Sequence, residues 1–249
     1  MNAVQILKAL GPIDAHNVRR DAMLKWIAIL PPVLALAMRW IIPVLFGRLS
    51  DFLHVDLAPY YSPFMGYTLA LLTPAMVGVV VGFLLLDERD DRTLSALQVT
   101  PLSLNGYLAY RLLVPSVLSV ILTVIVFPLS GLMEIDWLSL LWLSICSAPF
   151  APLFALFMAS FAQNKVQGFA LQKAASWVFM PPVIAYFIQS NWQWAFGIVP
   201  TYWPAKLYWT LQAGQPHAWA YGLVGLAYQG LLLVLLVRRF NRVMTAGAE

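Results

Sequence analysis

Charged residues are scarce in this sequence. Only 10% of its 249 residues are Asp, Glu, Lys or Arg, whereas 61% are apolar. Soluble domains average about 25% charged residues, so this chain carries too few to solvate the surface of a folded soluble domain. Its high apolar content also excludes a disordered chain. The composition therefore predicts a polytopic membrane protein and nearly excludes a soluble enzyme.

Several chemical motifs are also missing. The single cysteine, Cys146, allows neither an intrachain disulfide nor a thiolate metal site. The three histidines lie in different segments without metal-ligand spacing. The sequence contains no G-x-x-x-x-G-K-[ST] phosphate loop, no H-E-x-x-H and no G-x-S-x-G. We therefore expect a non-catalytic chain that holds no metal or cofactor and does not bind ATP through a phosphate loop.

Long runs with little or no charge predict six membrane-spanning helices, each of which needs about 20 apolar residues. The runs cover residues 26–46, 57–86, 112–133, 137–162, 174–205 and 207–237. The alternating segments of about 10 residues that mark a membrane β-barrel are not seen, and otherwise only helices satisfy the backbone in lipid. The predicted fold class is an all-α polytopic membrane protein, with one six-helix transmembrane domain over residues 22–240.

Positive charges fall unevenly on the two sides of these spans. Twelve of the 15 Lys and Arg residues lie in the N-terminus, in the 87–111 and 163–173 loops and in the C-terminus. Because cytoplasmic loops carry the excess of Lys and Arg, we expect both termini in the cytoplasm. The net charge of +4 is thus a topology signal, and no basic soluble face is present that would bind nucleic acid.

Residues 1–21 are expected to form an N-terminal cytoplasmic segment on the membrane surface. Val4, Leu7 and Leu10 recur at helical spacing, and Gly11-Pro12 is a stop signal. The segment lacks the long apolar core of a cleavable signal peptide. The pattern predicts a short amphipathic helix that lies at the interface.

Arg39 interrupts the first predicted span. A charge inside the membrane is costly and is a functional hypothesis by default. Alternatively, the span ends at this point and Arg39 extends its charged head toward water.

The loop that follows the second span is the least membrane-like part of the chain. Four of the 11 acids lie within residues 87–91. Thr93 is suited to cap a short helix, Leu94 and Leu97 lie on one face of it, and Thr100-Pro101 ends it. The pattern predicts a small charged helix outside the membrane. It is either an ordinary capped loop or a projection that docks into a groove of a cytosolic partner.

The run from Glu88 to Ser103 resembles the E-R-E-x-G-T-L-x-x-L-x-x-T-P-x-S signature of ABC-2-type transporter permeases. Arg92 departs from it, because it stands where glycine is usual. The resemblance implies that residues 87–103 form the coupling helix that contacts a separate ATP-binding subunit. The residues to which this coupling role is carried over are Glu88, Arg89, Asp90, Asp91, Arg92, Thr93, Leu94, Leu97, Thr100 and Pro101.

The same resemblance implies the function. The chain is expected to be the permease subunit of an ATP-driven exporter that moves a hydrophobic or amphipathic substrate, such as a drug, peptide or lipid, out of the cytoplasm or inner leaflet. Two copies of the ATPase subunit, which bind the ATP, and a second, identical permease subunit are the implied partners.

The resemblance further implies a re-entrant segment between the fifth and sixth spans on the outer side. Five of the ten tryptophans lie in residues 192–219. They form either an aromatic belt at the interface or part of an exit gate, for which Arg39, Trp192, Trp194 and Trp203 are the candidates.

Two other functions remain open from the residues alone. An ion-coupled secondary transporter needs carboxylates at mid-membrane, whereas the acids of this chain lie in loops and at the ends of spans. A non-transporting membrane scaffold needs no such residues.

Overall fold

The computed structural model describes residues 3–90, 104–132, 135–188 and 190–246. Every regular element within these ranges is helical, which confirms the predicted all-α class for this part of the chain. The α-helices are α1 (Ala3–Arg20), α2 (Ala22–Trp40), α3 (Ile42–Leu53), α4 (Ala58–Asp90), α5 (Leu104–Ser130), α6 (Trp137–Ser147), α7 (Phe150–Phe161), α8 (Lys165–Ala175), α9 (Met180–Phe187), α10 (Tyr202–Gln212) and α11 (Ala218–Ala246). Two 3-10 helices, Ser176–Phe179 and Asn191–Ile198, flank α9.

Helix α4 is the centre of the bundle. It has 33 residues, which at 1.5 Å per residue gives a length of about 50 Å. It packs against α2, α5, α7 and α10. The approach of α7 is close because α4 carries glycine at the contact: a Cβ atom on Gly78 would lie 2.5 Å from the carbonyl oxygen of Ala151. Small residues of this kind let helix backbones approach in membranes.

Five helical stretches of the described residues are long and apolar enough to cross a membrane. They are Ala22–Trp40, Ala58–Arg89, Gly106–Ser130, Trp137–Phe161 and Ala218–Arg242. Large side chains such as Leu113, Ile121, Leu231 and Val234 are exposed on α5 and α11. In a membrane these apolar surfaces face lipid, so the stretches match an integral membrane protein, and the sixth predicted span stays a prediction.

The predicted spans 174–205 and 207–237 do not form single helices. The helical run that begins with α8 ends at Phe187, because Ile188 is extended. After the second 3-10 helix and the short α10, the chain turns at Gly214, whose φ of +63° suits glycine, and α11 begins at Ala218. The apolar run continues through these breaks, which is why run length alone placed the span boundaries wrongly.

A smaller break divides the predicted span 137–162. Helix α6 ends at Ser147 and α7 begins at Phe150, since Pro149 cannot donate a backbone hydrogen bond. Gln229 of α11 is fully buried and donates from Nε2 to the carbonyl oxygen of Cys146 at 2.9 Å. This bond satisfies a carbonyl in the last turn of α6, where the regular helical pattern stops.

The first two helices also differ in length from the sequence prediction. Helix α1 continues through Pro12 to Arg20 instead of stopping at Gly11-Pro12. Helix α2 ends at Trp40, so Arg39 lies in its last turn, exposed, with its guanidinium carbon 5.8 Å from the Trp40 ring centroid. This position matches the reading in which the first span ends at Arg39.

Candidate functional site

A buried ion cluster joins three helices at the end of the bundle where α4 stops and α5 begins. Arg111 of α5 donates two hydrogen bonds to Asp14 of α1, from Nη1 to Oδ2 at 2.8 Å and from Nη2 to Oδ1 at 3.2 Å. Its Nη2 also donates to Oε1 of Glu88, near the end of α4. One guanidinium group therefore holds two carboxylates that come from two other helices.

Two tyrosines of α5 complete this cluster. Tyr107 donates its hydroxyl proton to Oε2 of Glu88 and accepts a hydrogen bond from Nε of Arg111 at 3.4 Å. Tyr110 donates to Oδ2 of Asp14 at 2.8 Å. The guanidinium carbon of Arg111 lies 5.4 Å from the centroids of both tyrosine rings, within the range of cation–π attraction. The two phenols thus orient both carboxylates and both flank the arginine.

The cluster is largely shielded from solvent. The side chain of Arg111 is 2% exposed, that of Glu88 14% and that of Asp14 18%. Burial removes hydration worth several kcal/mol per ion, which is recovered only when geometry is good and hydrogen bonds satisfy the remaining atoms. The bidentate contact and the two phenols meet that condition. We infer that the cluster is a stiff link between α1, α4 and α5.

A second, more exposed cluster adjoins it at Asp87. The Nζ atom of Lys165, the first residue of α8, lies 3.0 Å from Oδ1 of Asp87 and 3.3 Å from Oδ2 of Asp21. Asp21 caps α2 by accepting hydrogen bonds from the backbone N–H groups of Met23 and Leu24. Burial alone would raise the pKa of Asp21, but these backbone donors and the Lys165 ammonium hold it below its ordinary value. The starts of α2 and α8 are thereby tied to the end of α4.

Arg89 attaches the end of α4 to the end of α7. Its Nη2 donates to the carbonyl oxygen of Ala162 at 2.7 Å and its Nη1 to that of Ala159 at 3.3 Å. The last carbonyls of a helix have no partner within the helix, and a cation is favourable at this end of the helix dipole. Arg89 therefore acts as a side-chain cap on α7.

The structure describes part of the predicted coupling segment 87–103. Glu88 and Arg89 make the internal contacts given above, and Asp90 is the last residue of α4, with a side chain that is not described. The other candidates lie outside the described residues: Asp91, Arg92, Thr93, Leu94, Leu97, Thr100 and Pro101. Their contact with an ATPase stays a prediction, but residues 91–103 are bounded on both sides by helices that the ion cluster joins.

Apart from Glu88, sequence reasoning missed the residues that build this cluster. Tyr107 and Arg111 are four residues apart on one helix face, and Asp14 is an acid in a helix that ends in two arginines. These two patterns were visible in the sequence. They do not show which acid pairs with which base, since Asp14 and Arg111 are 97 residues apart in the chain.

Aromatic residues dominate the opposite end of the bundle. Trp209 of α10 donates from Nε1 to the carbonyl oxygen of Pro63 at 3.0 Å, and the hydroxyl oxygens of Tyr208 and Ser62 lie 3.3 Å apart. Along α4, Ser62 and Glu88 are separated by about 39 Å. Helix α10 therefore packs on α4 far from the ion cluster.

The predicted gate residues are only partly brought together. The rings of Trp194 and Trp203 have centroids 6.3 Å apart, and Tyr221 of α11 lies 6.1 Å from Trp194. Trp192 is 78% exposed. Arg39 lies at the end of α2 and is not among the residues that form this aromatic cluster. The joint role of these residues in a gate stays a prediction.

A cavity of about 310 Å³ lies beside α4 between these two ends. This volume is at the lower limit for a site that binds a drug-sized molecule. Its lining combines aromatic, aliphatic and methionine side chains with a few polar groups, and the Oε1 atom of Gln172 has no hydrogen-bond partner. The lining residues are Tyr67, Thr68, Leu72, Ala75, Met76, Val79, Phe154, Gln172, Ser176, Phe179 and Met180.

Comparison with known proteins gives three findings. Residues 14–237 match the family model described as "Fluoroquinolones export permease protein Rv2686c-like". Two curated relatives from Mycobacterium tuberculosis are each 30% identical over 237 residues, which is 94% of this chain and 94% of theirs: the fluoroquinolones export permease proteins MT2760 (strain CDC 1551 / Oshkosh) and Rv2686c (strain ATCC 25618 / H37Rv). No solved structure matches.

Proposed function

This chain belongs to the Rv2686c-like family of fluoroquinolones export permease proteins, and we propose that it is the membrane subunit of an ATP-driven exporter. A permease is a transport subunit, and the resemblance of Glu88 to Ser103 to ABC-2-type permeases agrees with this membership. The proposed cargo is a hydrophobic or amphipathic molecule. The fluoroquinolones named for the relatives are planar aromatic drugs of that kind.

One observation supports energy coupling most directly, namely the ion cluster of Asp14, Glu88 and Arg111. Residues 91–103 connect α4 to α5, and the cluster joins the adjoining ends of these two helices to each other and to α1. A displacement of that segment by an ATPase would therefore move three helices together, because the buried ion pairs resist separation. ATP would bind to the partner, and this chain would convert its motion into release of cargo.

The proposed topology has six spans with both termini and the ion cluster in the cytoplasm. The five long stretches form five spans, and the helical run from α8 to α9 forms the remaining one. Helix α10, most of whose residues are buried against the rest of the protein, is then the re-entrant element on the outer side. Two such permeases, identical in sequence, would pair above two ATPase subunits in a prokaryotic inner membrane.

The proposed route for cargo uses the 310 Å³ cavity beside α4 and the aromatic end of the bundle. The cavity offers aromatic and methionine surfaces with a few polar groups, as expected for a site that accepts amphipathic molecules. Trp194 and Trp203 would line the exit above it.

The test is co-expression with candidate ABC-type ATPases, followed by pull-down and by ATPase measurement in proteoliposomes. Leu94→Asp with Leu97→Asp would charge the apolar face predicted for the 91–103 segment. We expect it to abolish ATPase capture or its stimulation by cargo. The matched control is Leu53→Asp with Val55→Asp, since these exposed residues lie at the other end of the bundle, and it leaves both readouts unchanged.

Three outcomes would refute the proposal. One is that no ATP-binding-cassette protein is retained by the wild-type chain. A second is uptake driven by a proton gradient without ATP, which indicates a secondary transporter. The third is the absence of any transport by reconstituted chain with its partners, which indicates a scaffold.

A further inference from the structure

Lys206 of α10 is a cation placed among aromatic and polar groups. Its Nζ atom donates to Oε1 of Gln193 at 2.7 Å and lies 5.7 Å from the centroid of the Tyr221 ring. Gln193 is itself fixed, because its Nε2 donates to the carbonyl oxygen of Ala185 at 2.8 Å. The ammonium group is therefore held by elements that include α9, the second 3-10 helix and α11.

Within the described part of the chain, no carboxylate forms an ion pair with Lys206. The ion pairs found among the described residues use Arg111 and Lys165 as cations, and none includes Lys206. The Lys206 side chain is partly buried, so its ammonium has lost hydration without gaining an anion among the described residues. An ammonium has three donors, and Gln193 accounts for one.

A polar group without a hydrogen-bond partner lies on the same face of α10 as Lys206. The hydroxyl of Tyr202 is buried and has no hydrogen-bond partner, and its side chain is fully enclosed. Tyr202 and Lys206 are four residues apart, so they are neighbours on one helix face. Buried hydroxyls without partners are uncommon in folded proteins and call for an explanation.

The surroundings of these two donors are aromatic. The Trp194 ring is 51% exposed and lies 6.1 Å from Tyr221. Trp203 is fixed by a hydrogen bond from its Nε1 to the carbonyl oxygen of Gly197 at 2.9 Å. The arrangement therefore combines flat apolar surface with the Lys206 ammonium, which has donors beyond the one given to Gln193, and with the unpaired hydroxyl of Tyr202.

We propose that Lys206 and Tyr202, with Trp194, Trp203 and Tyr221 around them, form a binding site for a planar aromatic carboxylate. The carboxylate accepts hydrogen bonds from the partly buried ammonium of Lys206, and the ring system stacks on the half-exposed indole of Trp194. This site rests on the proposed function for its cargo, and it would hold the anionic end of that cargo at the end of the bundle opposite the ion cluster.

Equilibrium dialysis of the purified chain tests the site with two probes that differ only in charge, nalidixic acid and its methyl ester. A charge-assisted hydrogen bond in a partly desolvated site corresponds to roughly a tenfold difference in affinity or more. We expect the acid to bind at least about tenfold more tightly than the ester. Lys206→Met should remove that preference and leave ester binding unchanged, which also shows that the variant is folded.

Two further variants make the test specific. Lys206→Arg keeps the charge and should keep most of the preference for the acid. Arg48→Met removes an exposed cation of α3 and should leave both affinities unchanged. Equal affinity of the wild-type chain for acid and ester, or a preference that survives Lys206→Met, would overturn the site.

Export by proteoliposomes with the ATPase partner separates this site from the proposed function. If both probes are exported equally by wild type and by Lys206→Met, the chain is an exporter and the site is refuted. If neither probe is exported while the binding preference depends on Lys206, the site stands and the proposed function is refuted.

Discussion

The charge balance of the ion cluster predicts that substitutions of its members destabilise the chain to different extents. Two carboxylates, Asp14 and Glu88, share the single guanidinium of Arg111, which is 2% exposed. Arg111→Met would leave two carboxylates facing each other at a site with little solvent. Glu88→Gln would leave the ion pair of Arg111 with Asp14, which has no net charge. The new amide oxygen could still accept a hydrogen bond from Tyr107.

The magnitudes follow from the burial. Breaking a buried ion pair by removal of one partner costs about 3–5 kcal/mol, so we expect that loss for Arg111→Met. Replacement of a single hydrogen-bonded group costs about 1 kcal/mol, which is the expectation for Glu88→Gln. For a chain of this size 1 kcal/mol changes the melting temperature by about 2–4 °C, so Arg111→Met should melt at least about 6 °C below wild type.

The assay is thermal unfolding of the purified chain, followed by near-ultraviolet circular dichroism in one detergent for all variants. Lys173→Met is the control, because Lys173 is an exposed cation of α8. The reasoning is refuted if Arg111→Met has the same melting temperature as wild type, or if Glu88→Gln lowers the melting temperature as much as Arg111→Met does. The double variant Glu88→Met with Arg111→Met should recover part of the stability, since uncharged side chains can replace a buried pair.

Two other predictions concern packing and pH. Gly78→Ala should destabilise the folded chain by about 1–3 kcal/mol, because the added Cβ would lie 2.5 Å from the Ala151 carbonyl oxygen. Gly230→Ala is the control and should be neutral or stabilising, because no atom lies within 4 Å of the position of its Cβ. Equal melting temperatures of the two variants would contradict the close packing of α4 and α7. Folding lowers the pKa of Asp21. The stability that its carboxylate contributes to the folded state is therefore fully present above the ordinary carboxyl pKa, and it is lost as the pH falls through the lower pKa of the folded state. Asp21→Asn should therefore be less stable than wild type at pH 7 and approach it at acid pH, and a gap that stays constant from pH 7 to pH 3 would argue against the cap.

The sequence predicted the class of fold correctly for physical reasons that are local. Crossing a membrane requires about 20 apolar residues with no unpaired charge, and such runs are visible without any knowledge of contacts. Five of the predicted runs, at residues 26–46, 57–86, 112–133, 137–162 and 207–237, overlap stretches suited to cross a membrane. The run 174–205 overlaps none of them, because hydropathy does not register a helix break such as the extended backbone at Ile188.

For the candidate sites too, the sequence predicted some of the residues but not their contacts. Glu88 and Arg89 were selected from the sequence because charged residues are rare in the chain but concentrated in this segment, and because the run from Glu88 to Ser103 resembles the ABC-2-type signature. Their observed partners could not be predicted, since Glu88 meets Arg111 and Arg89 meets backbone carbonyls of α7. Hydrogen-bond geometry of that kind depends on where helices lie relative to one another.

The sequence by itself determined that this chain is helical, suited to a membrane and bears one charged segment between α4 and α5, since each of these follows from residue type and spacing. Only the tertiary structure decided that Arg111 joins Asp14 to Glu88, and that Lys206 lies beside Tyr221 with no carboxylate partner among the residues that the structure describes. The physical reason is distance along the chain. Which charges meet is decided by the packing of helices that are far apart in sequence, and no periodicity within one helix encodes it.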